Sequence, residues 1–228
     1  MPAPPEAPLT PEEFAGIAGV SRGTLERLEA YAALLARWQE RVNLVGGATL
    51  PDLWRRHMLD SAQLRPLAGP GVKTHVDLGS GAGFPGLVLA ILLAHEDKRK
   101  VATHLVESDR RKCAFLREAS RAAQTPVRIH TSRIEALESL GADLVTARAL
   151  APLDRLLDLA VPHLAPNGTL AFLKGRGLAD ELTLAGESWT FRHRTVPSLS
   201  APDSSVLIIE DPQRVRSPGV RRPQNARE

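Results

Sequence analysis

Apolar positions along the chain change their period part-way. From Arg22 to Val42, Leu25, Leu28, Ala32, Leu35 and Gln39 fall on one face, with Tyr31, Leu34 and Trp38 beside it. That spacing predicts an amphipathic helix with a broad apolar stripe. A shorter helix is predicted before it. Thr10 can cap it, Pro11 opens its first turn, Glu13 closes a capping box and Gly19 ends it. Ser21 can cap the long helix. Asn43-Leu44-Val45-Gly46-Gly47 breaks the pattern, and Pro51 predicts a third helix running to about Leu64, with Trp54 and Met58 on one side. Pro66, Gly69, Pro70 and Gly71 then make a linker.

After the linker, short β-prone runs alternate with helical ones. Strands are predicted over 74–78, 101–107, 127–131, 142–147, 169–173, 189–196 and 205–210. Helices are predicted over 87–93, 109–123, 134–140, 153–164 and 178–185, with Pro166-Asn167-Gly168 as a turn. Strands at this spacing imply an α/β fold with a mostly parallel seven-stranded sheet. The last two strands leave no room for a helix, so they form an antiparallel hairpin. The expected organisation is a disordered 1–9, a small helical N-terminal segment over 10–66, an α/β domain over 67–210 and a disordered basic tail over 211–228.

Val76 to Gly86 is the stretch the rest supports: Val-Asp-Leu-Gly-Ser-Gly-Ala-Gly-Phe-Pro-Gly. Strand, glycine turn and helix together open a nucleotide-binding unit. Glycines there allow positive φ and close approach of a ligand. Gly81-x-Gly83-x-x-Gly86 matches the dinucleotide fingerprint. Asp77-x-Gly79-x-Gly81-x-Gly83 instead looks like the first motif of S-adenosylmethionine-dependent methyltransferases. A carboxylate two residues before the turn repels a pyrophosphate and attracts a sulfonium or an ammonium. Asp77 therefore favours the methyl donor, and a nicotinamide-dependent oxidoreductase is the alternative. A non-catalytic RNA-binding assembly protein on the same fold is the other.

Composition narrows the setting. The chain has 228 residues, 43% hydrophobic and 24% charged, enough for a packed core. No apolar run approaches a membrane span and the N-terminus lacks the regions of a signal peptide, so a cytoplasmic protein is expected. One cysteine, Cys113, excludes an internal disulfide and a cysteine-rich zinc site, and it sits on an apolar helix face. His75, His95, His104, His130, His163 and His193 show no metal-ligand spacing, so no metal is expected. A net charge of +3 permits a nucleic-acid partner without requiring one.

Candidate site residues follow from position in the unit. Glu107 ends the second strand, where an acid can accept hydrogen bonds from ribose hydroxyls; a surface Glu at a strand end is the alternative. Ile134 and Glu135 follow the third strand, at the edge where ligands bind in open sheets. They suit an adenine face and edge, or simply begin a helix. Arg148 ends the fourth strand and Lys174 the fifth. Charge there is expensive unless functional or paired, for Arg148 with Asp143 or Asp154. His57, Asp60 and Ser61 share a helical face. That face does not have triad geometry, and it covers the cofactor mouth or packs on the sheet.

With those residues in hand, the chain from about Leu34 to Glu210 resembles the bacterial small-subunit ribosomal RNA guanine-N7 methyltransferases, historically called glucose-inhibited division protein B. The marks are Trp38…Asn43-Leu44, Arg56-His57-Met58-Leu59-Asp60-Ser61, the run from Asp77 to Gly86, Lys112…Phe115-Leu116-Arg117, Arg133-Ile134-Glu135, Thr146-Ala147-Arg148-Ala149 and Leu173-Lys174-Gly175. The resemblance implies a Rossmann-like methyltransferase fold and S-adenosylmethionine as cofactor. It places the cofactor on Gly79, Gly81, Phe84, Asp77, Ile134, Glu135 and Arg148, with Glu107 on the ribose. Lys174, Arg117, His57 and Arg56 become candidates for positioning substrate. Small-subunit ribosomal RNA, or the ribosomal subunit, is the implied partner of a monomeric enzyme. The family often has Asp where Glu107 stands and Leu where Phe84 stands, and the arginine-rich tail is not a family mark. Guanine N7 carries a free in-plane lone pair, so no general base is needed. Arg148 is expected to serve the cofactor and Lys174 the RNA.

Overall fold

A computed structural model describes residues 7–215. Its strands are β1 (Thr74–Leu78), β2 (Ala102–Glu107), β3 (Arg128–Thr131), β4 (Ala142–Arg148), β5 (Leu164–Lys174), β6 (Trp189–Pro197) and β7 (Ser205–Arg214). They form one sheet in the order β3-β2-β1-β4-β5-β7-β6. The first five run parallel, and β7 pairs antiparallel with both β5 and β6. The chain reverses its direction of travel across the sheet between β1 and β4. That switch point opens a crevice at the carboxyl ends of both strands.

The helices are α1 (Pro11–Ala18), α2 (Arg22–Gln39), α3 (Asp60–Ala62), α4 (Gly86–Ile91), α5 (Arg110–Ala122), α6 (Leu153–Ala160) and α7 (Leu178–Gly186). Thr10 caps α1 through the capping box with Glu13, Gly19 ends it at φ 59°, and Ser21 caps α2. One face of the sheet packs against α4 and α5, and α2 lies over them, where Leu28, Tyr31 and Leu35 meet Leu87, Val88 and Leu116. The N-terminal helices thus share a core with the α/β unit. The other face packs against α6, with Leu153 and Leu157 against Val145 and Phe172. Burying each such side chain stabilises the fold by roughly 1.5–3 kcal/mol. No helix among the described residues is long and apolar enough to cross a membrane.

Several expected boundaries move. The third helix is irregular: a 3-10 segment covers Gly47–Asp52, a π-helical turn covers Trp54–Leu59, and Asp60–Ala62 is α-helical. Pro51 lacks the N–H a regular helix needs, and the Ser61 hydroxyl donates to the His57 carbonyl at 2.7 Å, competing with the backbone ladder. The helix expected over 134–140 shrinks to a 3-10 turn, Ile134–Ala136, followed by Gly141 at φ 58°. Pro166-Asn167-Gly168 does not separate helix from strand. It lies inside β5, as an irregularity with Asn167 at φ 62°, where the β4–β5 register shifts. A Cβ on Gly168 would stand 2.7 Å from the Ala142 carbonyl, so the strand needs glycine there.

Order also extends past the expected limits at both ends. Leu9 is buried and its N–H donates to Asp52 at 3.0 Å, so the disordered segment expected over 1–9 fails at its inner end. β7 continues to Arg214, into the expected tail. Residues 1–6 and 216–228 lie outside the described residues.

Candidate active site

The turn after β1 is shaped by backbone. Gly79, Gly81 and Gly83 have φ of 67°, 55° and 95°, a region L side chains rarely adopt. The Gly83 N–H donates to the Ser80 carbonyl at 2.6 Å, and the Ser80 hydroxyl donates back to Asp77 at 3.0 Å. The buried Tyr31 hydroxyl donates to the Ala82 carbonyl, so α2 grips the turn from outside. A Cβ on Gly79 would stand 2.6 Å from Leu150 Cδ1, so the turn and Leu150 form a tight floor.

Two cavities share that floor. The smaller, about 400 Å³, is lined by Gly79, Gly81, Glu107, Ile134 and Leu150. Glu107 accepts from the Gly81 N–H at 3.0 Å on one oxygen and from the Asp109 N–H at 2.8 Å on the other. It braces the turn and keeps lone pairs for ligand hydroxyls. Ile134 is buried on the cavity wall. The Glu135 carboxylate instead pairs with Arg155, so only the rest of that residue serves the cavity.

The larger cavity, about 730 Å³, is lined by Arg56, Lys112, Arg148 and Lys174 against Asp60 and Glu181. Arg148 is its node. Its guanidinium donates to His57 Nδ1 at 2.7 Å and to the Arg56 carbonyl at 3.1 Å, and meets Asp60 at 3.5 Å. It lies over the Phe84 ring, 5.2 Å from the centroid. The partner is therefore Asp60, not Asp143 or Asp154. Asp143 instead accepts from the Lys73 and Thr74 N–H groups. Asp60 also accepts from Ser198 and Ser200, which ties the β6–β7 loop to the site.

The tautomer of His57 follows from its partners. Arginine has no lone pair to offer, so Nδ1 accepts; Nε2–H then donates to Thr49 Oγ1, 2.7 Å away. Burial, with help from Arg148 and Arg56, lowers the His57 pKa to about 3. The imidazole is neutral and both nitrogens are committed.

Asp77 differs from expectation. It is fully buried beneath the turn and lines neither cavity. Thr146 donates to its Oδ1 at 2.7 Å, and His75 stands 2.9 Å behind Thr146; Oδ2 has no hydrogen-bond partner among the described residues. Burial raises its pKa to about 6, against the pull of Thr146. Gly86 sits against it so closely that a Cβ would meet Oδ2 at 2.6 Å. Asp77 shapes the turn from below, and its carboxylate is packed against Gly86.

Two substrate candidates also shift. Arg117 is exposed, donates to Thr131 at 2.9 Å and lines a separate surface hollow at the α5–β3 edge, outside both cavities. Its place two turns along α5 carries it away from the crevice. Lys174 lines the larger cavity, but it is buried, paired with Glu181 and 3.3 Å from the Ala151 carbonyl. Arg56 and Lys112 line the cavity with no side-chain hydrogen bond or ion pair among the described residues. Sequence reading missed Tyr31, Thr49 and Leu150 as site components. Thr49 lies close after Gly46-Gly47, and Tyr31 and Leu150 carry no local signal. Cys113 lies in the core, its thiol donating to the Glu107 carbonyl at 3.2 Å.

This is the fold of the S-adenosylmethionine-dependent methyltransferases, with its crevice at the β1–β4 switch point. An S-adenosylmethionine-dependent methyltransferase from Aquifex aeolicus superposes with a TM-score of 0.53 at 15% identity, over 70% of this chain and 92% of that one. A methyltransferase from Geobacter sulfurreducens does so with a TM-score of 0.56 at 16% identity, over 89% and 96%. Residues 24–207 match the family model described as rRNA small subunit methyltransferase G, and the chain belongs to that family. Proteins named ribosomal RNA small subunit methyltransferase G are similar throughout. The one from Paramagnetospirillum magneticum is 58% identical, over 92% of this chain and 99% of its own. That from Parvibaculum lavamentivorans is 54% identical, over 87% and 88%. Family membership removes the nicotinamide oxidoreductase alternative.

Proposed function

We propose that this chain transfers the methyl group of S-adenosylmethionine to N7 of a guanine in small-subunit ribosomal RNA. The observation that carries the reading is a large cationic cavity, beside a glycine-floored one, in which the acid–base groups are committed. His57 is neutral with both nitrogens bonded, Asp60 holds Arg148 and two serines, and Glu181 holds Lys174. An N7 lone pair needs no deprotonation, so such a site lacks nothing for that atom.

The residues fit the cofactor. The floor of Gly79, Gly81 and Leu150 has the cradle form that a Cβ would fill. Glu107 would hold the ribose, and Ile134 with the backbone at Glu135 would hold the adenine. Arg148 retains its Nε–H and one Nη2–H for the carboxylate of the methionine part. S-adenosylmethionine, when bound, supplies an electrophilic methyl group on a sulfonium. The chain's own residues bind, orient and exclude water. Arg56 and Lys112, whose side chains have no hydrogen bond or ion pair among the described residues, are the groups for RNA phosphates or guanine O6. Lys174 contributes through its pair with Glu181. An arginine bidentate to O6 and N7 would block the reacting lone pair, so cationic contacts must stay off N7. The reading extends to a monomeric, metal-independent enzyme of the cytoplasm.

The test is transfer of a labelled methyl group to small subunits from a strain lacking the homologous enzyme, followed by nucleoside analysis. Labelled 7-methylguanosine is expected. Label in another nucleoside sinks the N7 assignment, and donor binding without transfer favours the assembly-protein alternative.

A further inference from the structure

We propose that the groove between α2 and α5 is a second binding site, for single-stranded RNA flanking the nucleotide in the large cavity. The inference rests on the RNA substrate argued above and adds a surface to it. The groove, about 680 Å³, is lined by Arg37, Trp38 and Arg41 at the end of α2 and by Arg111 in the first turn of α5.

Fold stability does not account for these cations. Arg37 and Arg41 suit the helix dipole at the end of α2, but both are exposed and have no hydrogen-bond or ion-pair partner among the described residues. Arg111 faces them from the wrong end of a helix. The first turn of α5 contains no acid and is occupied by Arg110, Arg111 and Lys112, where the dipole disfavours positive charge. Arg111 reaches Asp109 only at 3.8 Å and is 73% exposed. Three guanidiniums held around one concave surface repel each other unless an anion joins them.

Trp38 supplies the second half of a nucleic-acid surface. Its indole N–H donates to Glu118 at 2.6 Å and its ring packs edge-on to Phe115, 5.7 Å between centroids, so the ring is fixed and only partly buried. Glu118 is thereby committed, and Glu40 is the other acid on the groove. Fixed aromatic rings among arginines bind single strands by stacking and phosphate contact, without sequence preference. The groove and the large cavity are lined by neighbouring residues of the chain. Arg111 lines the groove and Lys112 lines the catalytic cavity; Val42 lines the groove and Leu44 lines the cavity. On this proposal, a strand held at Lys112 in the cavity extends round the first turn of α5 to Arg111.

The experiment uses the full chain and a labelled single-stranded RNA dodecamer, with affinity read by anisotropy across a salt series. The variant Arg37→Ala/Arg41→Ala/Arg111→Ala should bind about tenfold more weakly or worse, and the slope of log affinity against log salt should fall by about 2. The corresponding triple Arg→Lys variant should keep the slope. S-adenosylmethionine affinity and thermal midpoint should match the wild type in both. With ribosomal subunits, the alanine variant should raise KM and leave kcat unchanged. An unchanged RNA affinity overturns the proposal, as does wild-type protein that binds no RNA. Equal wild-type affinity for a polyglutamate peptide overturns the RNA assignment and makes the groove a site for acidic protein. The anisotropy measurement needs no methyl transfer, so failure of the activity reading and failure of the groove are separately visible.

Discussion

The two halves of the crevice are made from different materials. The floor of the smaller cavity is made of backbone: Gly79 and Gly81 at positive φ, braced by a strand-end glutamate bonded to two N–H groups, with Ile134 and Leu150 among its walls. The larger is made of charged side chains brought from far apart in the chain, with Arg148 meeting His57 and Asp60 across about ninety residues. Substitutions should therefore act by steric exclusion in the first and by stranded charge in the second. A cofactor common to many enzymes suits a locally encoded cradle. A particular substrate suits a cavity assembled by the whole fold.

Asp60→Ala should have the largest effect, because it leaves the Arg148 guanidinium without its carboxylate and frees Ser198 and Ser200. Loss of one partner from a buried pair costs about 3–5 kcal/mol. Urea unfolding reads it, and a loss below about 1 kcal/mol would show that the second half is not held by charge.

Next is acid sensitivity through His57. It is neutral in the folded chain, with a pKa of about 3, and protonates near the ordinary imidazole value of 6.5 when unfolded. Its contribution is complete above pH 6.5 and is lost as pH falls towards 3. At pH 5 that loss is about 2 kcal/mol. The stability difference between wild type and His57→Gln should shift by about that amount, against the wild type, between pH 7.5 and 5. A constant difference contradicts the burial argument.

Gly86→Ala tests the backbone half, since the new Cβ would meet Asp77 Cβ at 2.5 Å and Leu105 Cδ2 at 2.6 Å. Overpacking of that kind costs about 1–3 kcal/mol. Gly79→Ala is sharper still. Its Cβ would press on the flexible end of Leu150, so stability should change by only about 1 kcal/mol while S-adenosylmethionine affinity falls about tenfold or more by calorimetry. Equal affinity would mean that the turn is not the cofactor floor. Tyr31→Phe should have the smallest effect, about 1 kcal/mol in unfolding, by removing the donor to Ala82.

The contrast also explains what was legible in the sequence. The glycine turn, the strands and Glu107 are local patterns, and the mostly parallel seven-stranded sheet with its terminal hairpin follows from spacing. Arg148 and His57 were visible as unusual residues, but their bond was not, because no local rule pairs a strand end with a distant π-helical turn. Asp77 was read as a ligand group from its charge; its burial, set by Gly86 and Thr146, is a packing outcome. Lys174 and Arg117 are both candidates for positioning substrate by sequence. The first gained Glu181 from α7 and the second lies outside the crevice. The third helix is present from Pro51 to Ala62 as expected, but its 3-10 and π-helical turns were not legible from apolar spacing.

The central claim is that the site works by positioning, with no base. The direct test is the single-turnover methyl-transfer rate on small subunits, at saturating S-adenosylmethionine, from pH 6 to 9. The account predicts a flat profile, because His57 is already neutral across that range and the N7 lone pair carries no proton to remove. A rate that climbs with pH through a single titration would contradict it, and would put a general base in the cavity.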